Sequence, residues 1–383
     1  MQICICRIRV EYVNLRDICK INMGQSPEST SYNSDKQGVP FYQGNADFGA
    51  LYPNPRIWCS KPIKLAKEND ILISVRAPVG ALNFSKEECC IGRGLAAITL
   101  VSNDFLIEFI YWSLRRGVKE LQSKSTGSTF KSINKKVLEE VRIPKISLKD
   151  QEDIIKNITL LTNILTKYEQ EIVFLDELVK ARFVEMFGDP VINSCQFPVQ
   201  PMTDICDIID GDRGKNYPKS EEILDDGYCL FLNAKNVTQK GFDFENCNFI
   251  TREKDDALRN GKLSRGDVVL TTRGTVGNLA YYSKNVPYEN IRINSGMVIL
   301  RMNRSILNEI YFIELFKMKL SDIKEKIASG SAQPQLPIST MNKIILMIPP
   351  LELQNQFASF VKEIDKSRLL SNHSLLLLKS IIF

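Results

Sequence analysis

The sequence has 383 residues, of which 44% are hydrophobic and 25% are charged, and its formal net charge is +5. A chain of this length and composition can bury more than one sizeable core, which argues against a disordered or fibrous protein and predicts two domains. The positive charge is too small to indicate nucleic-acid binding by itself.

Cysteine and histidine usage narrows the possible chemistry. The ten cysteines include no pair with the Cys-x-x-Cys spacing of a zinc or dithiol site, so we expect reduced thiols in the cytoplasm and no metal. The single histidine, His373, lies in a predicted helix, which argues against imidazole-based catalysis elsewhere. No apolar run is long enough to span a bilayer, which indicates a soluble, unexported protein without a membrane partner.

The chain contains a long internal repeat, because four landmarks occur twice in the same order. The pairs are Asp17-Ile18-Cys19 with Asp204-Ile205-Cys206, Asn69 to Gly80 with Gly266 to Gly277, Ser125 to Thr129 with Ala328 to Ala332, and Ile143-Pro144 and Gln151 with Ile348-Pro349 and Gln356. The offset between the copies grows along the chain, as expected when loops differ and the framework persists. We therefore predict two similar domains, each followed by a helix.

Each half combines strand and helix patterns. The short β-branched runs at Ile71 to Val75 and Val268 to Thr272 are followed by glycine-containing turns, and Ile91 to Val101 and Ile293 to Met302 are similar runs. Helical periodicity follows at Leu106 to Leu121 and at Leu307 to Ile327. These patterns predict an α+β fold built from two tandem, similar α/β domains.

A long helix is predicted after each domain. From Ser147 to Phe187 a helix would be roughly 60 Å long, and its apolar positions alternate in steps of four and three, at Ile154, Ile158, Leu161, Leu165, Tyr168, Ile172, Leu175 and Val179. Gly188-Asp189-Pro190 supplies the stop. The second helix, after Pro349-Pro350, offers Leu353, Phe357, Phe360 and Ile364, and its seam is interrupted by Ser367 and Ser371 before Leu378 and Ile381. We expect the two seams to pair antiparallel with pseudo-twofold symmetry, although two unrelated surface helices are the alternative.

In both halves, the apolar strand leads into a turn that carries an arginine. Arg76 and Arg273 occupy this place, in the segments that end at Gly80 and Gly277. A turn on a rigid strand can direct a guanidinium toward guanine O6 and N7 or toward a phosphate. The same arginines could instead cap a neighbouring carbonyl, but their recurrence in both halves favours a DNA contact.

Polar loops supply a second set of candidates. They are Lys124, Ser125, Thr126, Ser128, Thr129 and Lys131 in the first half, and Ser329, Ser331, Gln333 and Gln335 in the second. Backbone amides and hydroxyls there would hold phosphates, and Gln333 and Gln335 would read adenine edges. Such loops are common turns when isolated, so the argument depends on their repeated position.

A third set follows the divergent first loop of each half. It contains Tyr42, Gln43 and Asn45 in the first half, and Asn233, Lys235 and Asn236 in the second. Amides beside an aromatic residue suit contacts with base edges, although ordinary turn chemistry explains the same residue types equally well.

Motifs for catalysis are missing from the sequence. There is no G-x-x-x-x-G-K-[ST] phosphate loop, and Asn285-Val286-Pro287-Tyr288 lacks the second proline of an amino-methyltransferase tetrapeptide. No carboxylate and lysine arrangement suggests a nuclease site. We therefore predict a chain that binds DNA and has no catalytic residues and no cofactor of its own.

The duplicated order of these motifs resembles the specificity (S) subunit of type I restriction-modification enzymes, over essentially the whole chain. The resemblance implies target recognition domains at about residues 1–146 and 189–350, each reading half of a split double-stranded DNA target. It also implies spacer helices at about 147–188 and 351–383. The sequence departs from the family pattern in two places, at the interrupted second seam and at the end of the sequence at Phe383 soon after it. The loop at Asp210 to Lys215 also has no clear counterpart in the first half.

The resemblance also implies partners. Two methyltransferase (M) subunits would carry S-adenosylmethionine and methylate adenine N6, and restriction (R) subunits would use ATP and Mg²⁺ for translocation and cleavage. Three rival functions remain open at the level of sequence: a stand-alone two-headed DNA-binding regulator, a nuclease with a divergent active site, and a structural coiled-coil adaptor without DNA affinity.

Overall fold

The computed structural model describes residues 11–125, 132–328 and 335–382, with the backbone alone for residues 321–328. Contacts divide the chain into two units. The first contains the described residues up to Glu169 and those from His373 onward, and the second is Gln170–Asn372. The boundary between the two units therefore falls within each long helix.

The first unit begins with a domain of mixed helices and strands. Its strands are β1 (Glu11–Asn14), β2 (Cys19–Met23), β3 (Tyr32–Asn33), β4 (Val39–Tyr42), β5 (Trp58–Cys59), β6 (Leu65–Ala66), β7 (Ile71–Ser74), β8 (Leu82–Phe84), β9 (Cys89–Ile91), β10 (Leu95–Leu100) and β11 (Arg142–Lys145). Its helices are α1 (Leu15–Ile18), α2 (Ile107–Arg116), α3 (Val118–Ser123) and α4 (Lys135–Glu139). The strands form an antiparallel sheet in the order β2-β10-β7-β8, a mixed sheet in the order β3-β5-β4-β9-β6, and the pair β1-β11.

The second unit contains a domain of the same design. Its strands are β12 (Val199–Pro201), β13 (Cys206–Asp210), β14 (Cys229–Leu232), β15 (Val237–Thr238), β16 (Gly241–Phe242), β17 (Phe249–Ile250), β18 (Val268–Thr271), β19 (Leu279–Tyr281), β20 (Ile291–Ile293), β21 (Met297–Met302) and β22 (Ile345–Met347). Its helices are α6 (Met202–Ile205), α7 (Arg252–Ala257), α8 (Glu309–Ala328) and α9 (Ile338–Met341). The order β13-β21-β18-β19 repeats that of the first antiparallel sheet, and the parallel pair β14-β20 repeats β4-β9.

One inner strand of each four-stranded antiparallel sheet, β7 in the first unit and β18 in the second, is buried on both faces. In β7, Ile71 and Ile73 belong to the core cluster that includes α2, while Leu72 points into a second cluster under the mixed sheet. Val269 of β18 likewise faces away from the cluster that holds Val268. Burial on both faces explains why these strands are continuous apolar runs without alternation. The predicted mixture of helices and strands is confirmed.

One predicted strand in each half is in fact two strands joined by a turn. The run from Ile91 to Val101 contains the end of β9, a turn at residues 92–94, and β10. The run from Ile293 to Met302 likewise divides into β20 and β21. A Cβ atom on Gly94 would lie 2.4 Å from the Gln43 carbonyl oxygen, so the turn requires glycine where the two segments meet.

The predicted long helices are present, as α5 (Leu148–Phe187) and α10 (Leu351–Ile382). Gly188 follows α5 with a φ of +73°, the left-handed conformation of a helix stop. On α5, the predicted seam from Ile158 to Val179 is partly or fully buried, but Ile154 is exposed and Ile155 packs on the core instead. Among the described residues, no helix is long and apolar enough to cross a membrane.

The interruption of the α10 seam that the sequence predicted at Ser367 and Ser371 is absent from the structure. Ser371 is only 4% exposed, and the covered positions continue in steps of four and three through Arg368 and Ser371. These positions are Phe357, Val361, Ile364, Arg368, Ser371, Leu375, Leu378 and Ile382. Ser367 is exposed, so it lies beside the seam and does not interrupt it.

A buried glutamine at the start of each long helix corrects the predicted register of the repeat. Gln151 accepts a hydrogen bond from Leu106 N (2.9 Å) and donates to the carbonyl oxygens of Asp104 and Ile146. The residue that repeats these bonds is Gln354, which accepts from Asn308 N (2.8 Å) and donates to the carbonyl oxygens of Ile306 and Pro349.

The sequence had aligned Gln151 with Gln356 through the spacing from a proline, but Gln356 is exposed. Strand pairing gives the same correction, because β11 and β22 occupy matching places and Pro144 therefore matches Met347. The predicted register is wrong by two residues at this landmark.

We expect Gln354→Leu to lower the free energy of unfolding by about 2–4 kcal/mol, because it leaves an amide and two carbonyl groups without partners in the core. The matched control is Gln356→Leu, two positions along the same helix, which should change stability by no more than about 0.5 kcal/mol. Urea unfolding followed by circular dichroism measures both variants. Equal stability of the two variants would contradict the structural role of Gln354.

Candidate DNA interface

The turn that carries Arg76 or Arg273 is held by the same hydrogen bonds in both units. Gly80 N donates to Ser74 O and Gly277 N donates to Thr271 O, each at 2.9 Å. The Ser74 hydroxyl donates to Pro78 O and accepts from Ala81 N, and the Thr271 hydroxyl makes the equivalent pair of bonds. Because these bonds fix the turn, they present each arginine at the surface at the end of a buried strand.

Glycine is required to close this turn. Gly80 has a φ of +93° and Gly277 a φ of +89°, a backbone region in which other residues are strained. The guanidinium groups of Arg76 and Arg273 make no hydrogen bond or ion pair with any residue that the structure describes. Both groups are therefore free to contact a ligand.

In each unit, the residue at the C-terminal edge of the predicted polar loop lies beside this turn. Ile133 N donates to Val75 O (3.0 Å), and Leu336 N donates to Thr272 O (3.1 Å). The bridges that result pair Arg76 with Ser132 and Arg273 with Gln335. Two predicted contact residues of the second half, Arg273 and Gln335, are thus neighbours.

Several predicted loop residues lie outside the described part of the chain. They are Thr126, Ser128, Thr129, Lys131, Ser329, Ser331 and Gln333. At the edge of the first gap, Lys124 forms an ion pair with Glu120 (2.6 Å), and the Ser125 hydroxyl donates to Gln122 O. Lys124 remains exposed at the end of α3, next to the predicted loop.

A pocket of about 250 Å³ in the first unit brings three predicted residues together. The pocket is lined by Gln43, Asn45 and Arg76, and also by Arg93, which was not among the residues predicted from the sequence. Asp47 fixes the segment, because its carboxylate accepts from Gln43 N (2.8 Å). The pocket therefore combines two guanidinium groups with two side-chain amides at the surface.

The corresponding segment of the second unit follows β14. Asn233 caps a short turn by accepting a hydrogen bond from Lys235 N (2.9 Å), and Lys235 is exposed. Asn233 is partly exposed. Both residues follow β14, which pairs with β20, just as Gln43 follows β4, which pairs with β9.

Two predicted contact residues lie in the core instead. Tyr42 is 3% exposed and packs among the apolar side chains beneath the mixed sheet. Asn236 is 1% exposed, and its side chain is used by Asn233 N, Asp243 O and Asn246 O. We remove both from the candidate interface, because an aromatic residue next to amides indicates a turn without showing which side chains point outward.

The loop at Asp210 to Lys215 does have a counterpart in the first unit, contrary to the prediction. Gly24 follows β2 and Gly211 follows β13. Gly24 lies close to the turn between β9 and β10, and Gly211 lies close to the turn between β20 and β21. A Cβ atom would lie 2.2 Å from Gly92 O in the first case and 2.2 Å from Asn294 O in the second. The segment beginning at Gly24 is thus the equivalent of the segment beginning at Gly211.

A buried ion network supports this loop in the second unit. Asp255 is fully buried and contacts the Arg292 guanidinium and the Lys262 ammonium group. Arg292 also donates to the carbonyl oxygens of Asn260 (2.7 Å) and Leu258 (3.0 Å). The residue between them, Arg259, donates its backbone N–H to Asp212 of the loop (2.7 Å). The network therefore positions the segment on which the loop rests.

Comparison with known proteins identifies the class. The family model for the type I restriction modification DNA specificity domain matches residues 8–173 and 197–379. The chain belongs to this family, as its resemblance predicted.

Individual relatives agree with this assignment. A putative type I restriction enzyme MjaX specificity subunit of Methanocaldococcus jannaschii is 44% identical over 148 residues, which is 38% of this chain and 34% of that protein. The MjaIX specificity subunit of the same organism is 24% identical over 339 residues, covering 83% of this chain and 76% of the relative.

A solved structure shows the same fold. The crystal structure of a type I restriction-modification system S subunit from M. genitalium aligns with 100% of this chain and 96% of its own, with a TM-score of 0.55. Its sequence identity is 17%, so the likeness concerns the fold alone.

We expect the ion network to make the second domain sensitive to acid. Burial raises the pKa of the Asp255 carboxyl, but hydrogen bonds from Lys262 and Arg292 outweigh burial and hold that pKa below its ordinary value. The unfolded chain therefore binds this proton more readily, so the stabilisation is present above about pH 4 and is lost as the pH falls further.

Asp255→Asn should destabilise the protein by about 3–5 kcal/mol at pH 7, because Arg292 stays buried without its partner. The difference in the free energy of unfolding between Asp255→Asn and the wild type should shrink as the pH is lowered from 6 to 3. Asp225→Asn, at an exposed position with no ion pair in the described chain, is the control. A difference between wild type and Asp255→Asn that stays constant with pH would contradict the assignment.

Proposed function

We propose that this chain is the DNA-reading subunit of a type I restriction-modification complex, in which each domain reads half of a bipartite double-stranded target. The single observation that carries this proposal is the repeated site. In both units, an exposed arginine without a hydrogen-bond or ion-pair partner among the described residues follows a buried strand. It bridges to the residue at the C-terminal edge of a predicted polar loop, Ser132 or Gln335. A flat guanidinium on a rigid support suits guanine in the major groove, and loop amides and hydroxyls suit phosphates.

We propose further that α5 and α10 pair as an antiparallel coiled coil that sets the distance between the half-sites. Within the second unit, Asp176 contacts Arg368 (2.6 Å), and Phe183 packs against Phe357 with ring centroids 5.4 Å apart. Residue numbers fall on α10 as they rise on α5, which supports the antiparallel arrangement. The matching environments of Gln151 and Gln354 support pseudo-twofold symmetry.

The remaining parts of the proposal concern partners and chemistry. We propose that two methyltransferase subunits and restriction subunits assemble on this chain in the cytoplasm. Exposed apolar residues of the second unit support docking on the helices, since large exposed apolar patches mark interfaces: Val173, Phe174, Leu369 and Leu370 are all more than half exposed. Adenine-N6 methylation with S-adenosylmethionine, and ATP- and Mg²⁺-dependent cleavage, would belong to those partners, while this chain has no catalytic role.

Methylation mapping tests the function directly. The chain is expressed with its neighbouring methyltransferase in a host without adenine modification, and N6-methyladenine is located by sequencing. We expect one split, asymmetric motif that disappears when this chain is omitted. Assembly of the complex without any chain-dependent methylation would contradict the proposal and favour a stand-alone DNA-binding regulator.

We expect Arg76→Ala to relax sequence preference in one half-site and Arg273→Ala to relax it in the other. A good bidentate contact contributes about 1–3 kcal/mol of discrimination, so the preferred base should lose roughly 5- to 150-fold in preference. Competition binding of the complex to duplexes altered in one half-site measures this loss.

Each variant serves as the control for the other, because the unaltered half-site should keep its preference. Arg16→Ala, on α1 and paired with Asp17, is a further control outside the pocket. Full preference at both half-sites in both variants would show that these arginines do not read bases.

A further inference from the structure

A second arginine stands beside Arg76 in the first unit. Arg93 occupies the turn between β9 and β10, and it lines the same pocket as Arg76, Gln43 and Asn45. Its side chain is exposed and makes no hydrogen bond or ion pair within the described chain. The fold of this domain therefore does not depend on the Arg93 guanidinium.

The turn is built to bring Arg93 to this place. A Cβ atom on Gly94 would lie 2.4 Å from Gln43 O, and one on Gly92 would lie 3.1 Å from the Gln43 Cα atom. The two glycines thus let the turn lie directly on the backbone that carries Gln43. Val75 N donates to Gly94 O (2.9 Å), which fastens the turn to the residue between β7 and Arg76.

The second unit has the same turn but a different residue in it. Thr272 N donates to Gly296 O (2.9 Å), just as Val75 N donates to Gly94 O, so Ser295 stands where the first unit has Arg93. The guanidinium comes instead from the facing loop. Arg213 donates to Ser295 O (3.4 Å) and to the Asp210 carboxylate (3.1 Å).

The facing loop of the first unit carries the serine. Counting from the equivalent glycines, Gly24 and Gly211, the counterpart of Arg213 is Ser26. The Ser26 hydroxyl accepts a hydrogen bond from Arg93 N (3.3 Å). Arginine and serine have thus exchanged places between two loops that contact each other. Each domain keeps one additional exposed guanidinium, Arg93 near Arg76 in the first and Arg213 near Arg273 in the second.

We propose that Arg93 and Arg213 are specificity-determining residues, each reading a guanine in the half-site of its own domain. This inference rests on the proposed function and extends it. A guanidinium matches guanine O6 and N7 with two parallel hydrogen bonds, a match that lysine cannot make. Asp210 orients Arg213 through one guanidinium nitrogen, Nη2, and leaves that side chain 47% exposed for a base.

The test uses the complete complex with its methyltransferase partners and the target defined by methylation mapping. Each guanine of one half-site is replaced singly by 7-deazaguanine, which lacks the N7 acceptor, and binding is measured by competition. We expect the wild type to lose affinity at the guanine that Arg93 reads. Arg93→Ser should bind the unmodified target roughly 5- to 150-fold more weakly and become insensitive to that replacement.

The second domain supplies the matched experiment. Arg213→Ser should lose sensitivity to one guanine of the other half-site and keep the first half-site unchanged. Both serine variants are compatible with the fold, because serine already occupies each position in the other domain. In an Arg93→Ser background, Ser26→Arg should restore part of the lost sensitivity, because it places the arginine on the facing loop as in the second unit.

Two outcomes would overturn the inference. One is equal weakening of all sequences with a smaller salt dependence, which identifies a phosphate contact. The other is unchanged sensitivity to every 7-deazaguanine in Arg93→Ser and Arg213→Ser. In both cases the wild-type complex still prefers its target, whereas a wild-type complex without any sequence preference would contradict the proposed function itself.

Discussion

One inner strand of each antiparallel sheet, β7 or β18, is the constraint on which the rest of the structure depends. β7 and β18 are buried on both faces, so neither strand can slide or rotate without exposing apolar side chains to water. A positive-φ glycine then reverses the chain within a few residues. The arginine in this turn therefore takes its position from the core and not from a mobile loop, which is what recognition of a base edge requires.

A rigid framework also explains how the two domains can differ where they would meet DNA. Glycines let the backbones of the two facing loops approach closely in each unit. The arginine and serine side chains add one hydrogen bond between the loops, from Arg93 N to the Ser26 hydroxyl in the first unit and from Arg213 to Ser295 O in the second. Arginine can thus move from one loop to the other without altering the core. This division lets sequence preference vary while the fold stays constant.

The repeat in the sequence was sufficient to predict the two domains, the long helices and the arginine turns, because all of these depend on apolar patterning or on glycine. The repeat did not predict which side chains of a turn point to the surface and which point into the core. Tyr42 and Asn236 have surface-like neighbours in sequence but point inward. Arg93 was missed because its turn is only three residues long and interrupts an apolar run, although glycines on both sides of an arginine were a usable signal.

The α10 seam shows a related limit of the sequence. The sequence predicted an interruption, but Arg368 and Ser371 occupy covered positions of a continuous seam. Arg368 contacts Asp176 and Asp365, yet its Nε atom is buried without a hydrogen-bond partner in the described chain. Such a residue weakens a helix pair, but it favours the one register in which the charges meet. The proposed spacer would need a fixed register more than maximal stability, so these polar residues are consistent with that proposal.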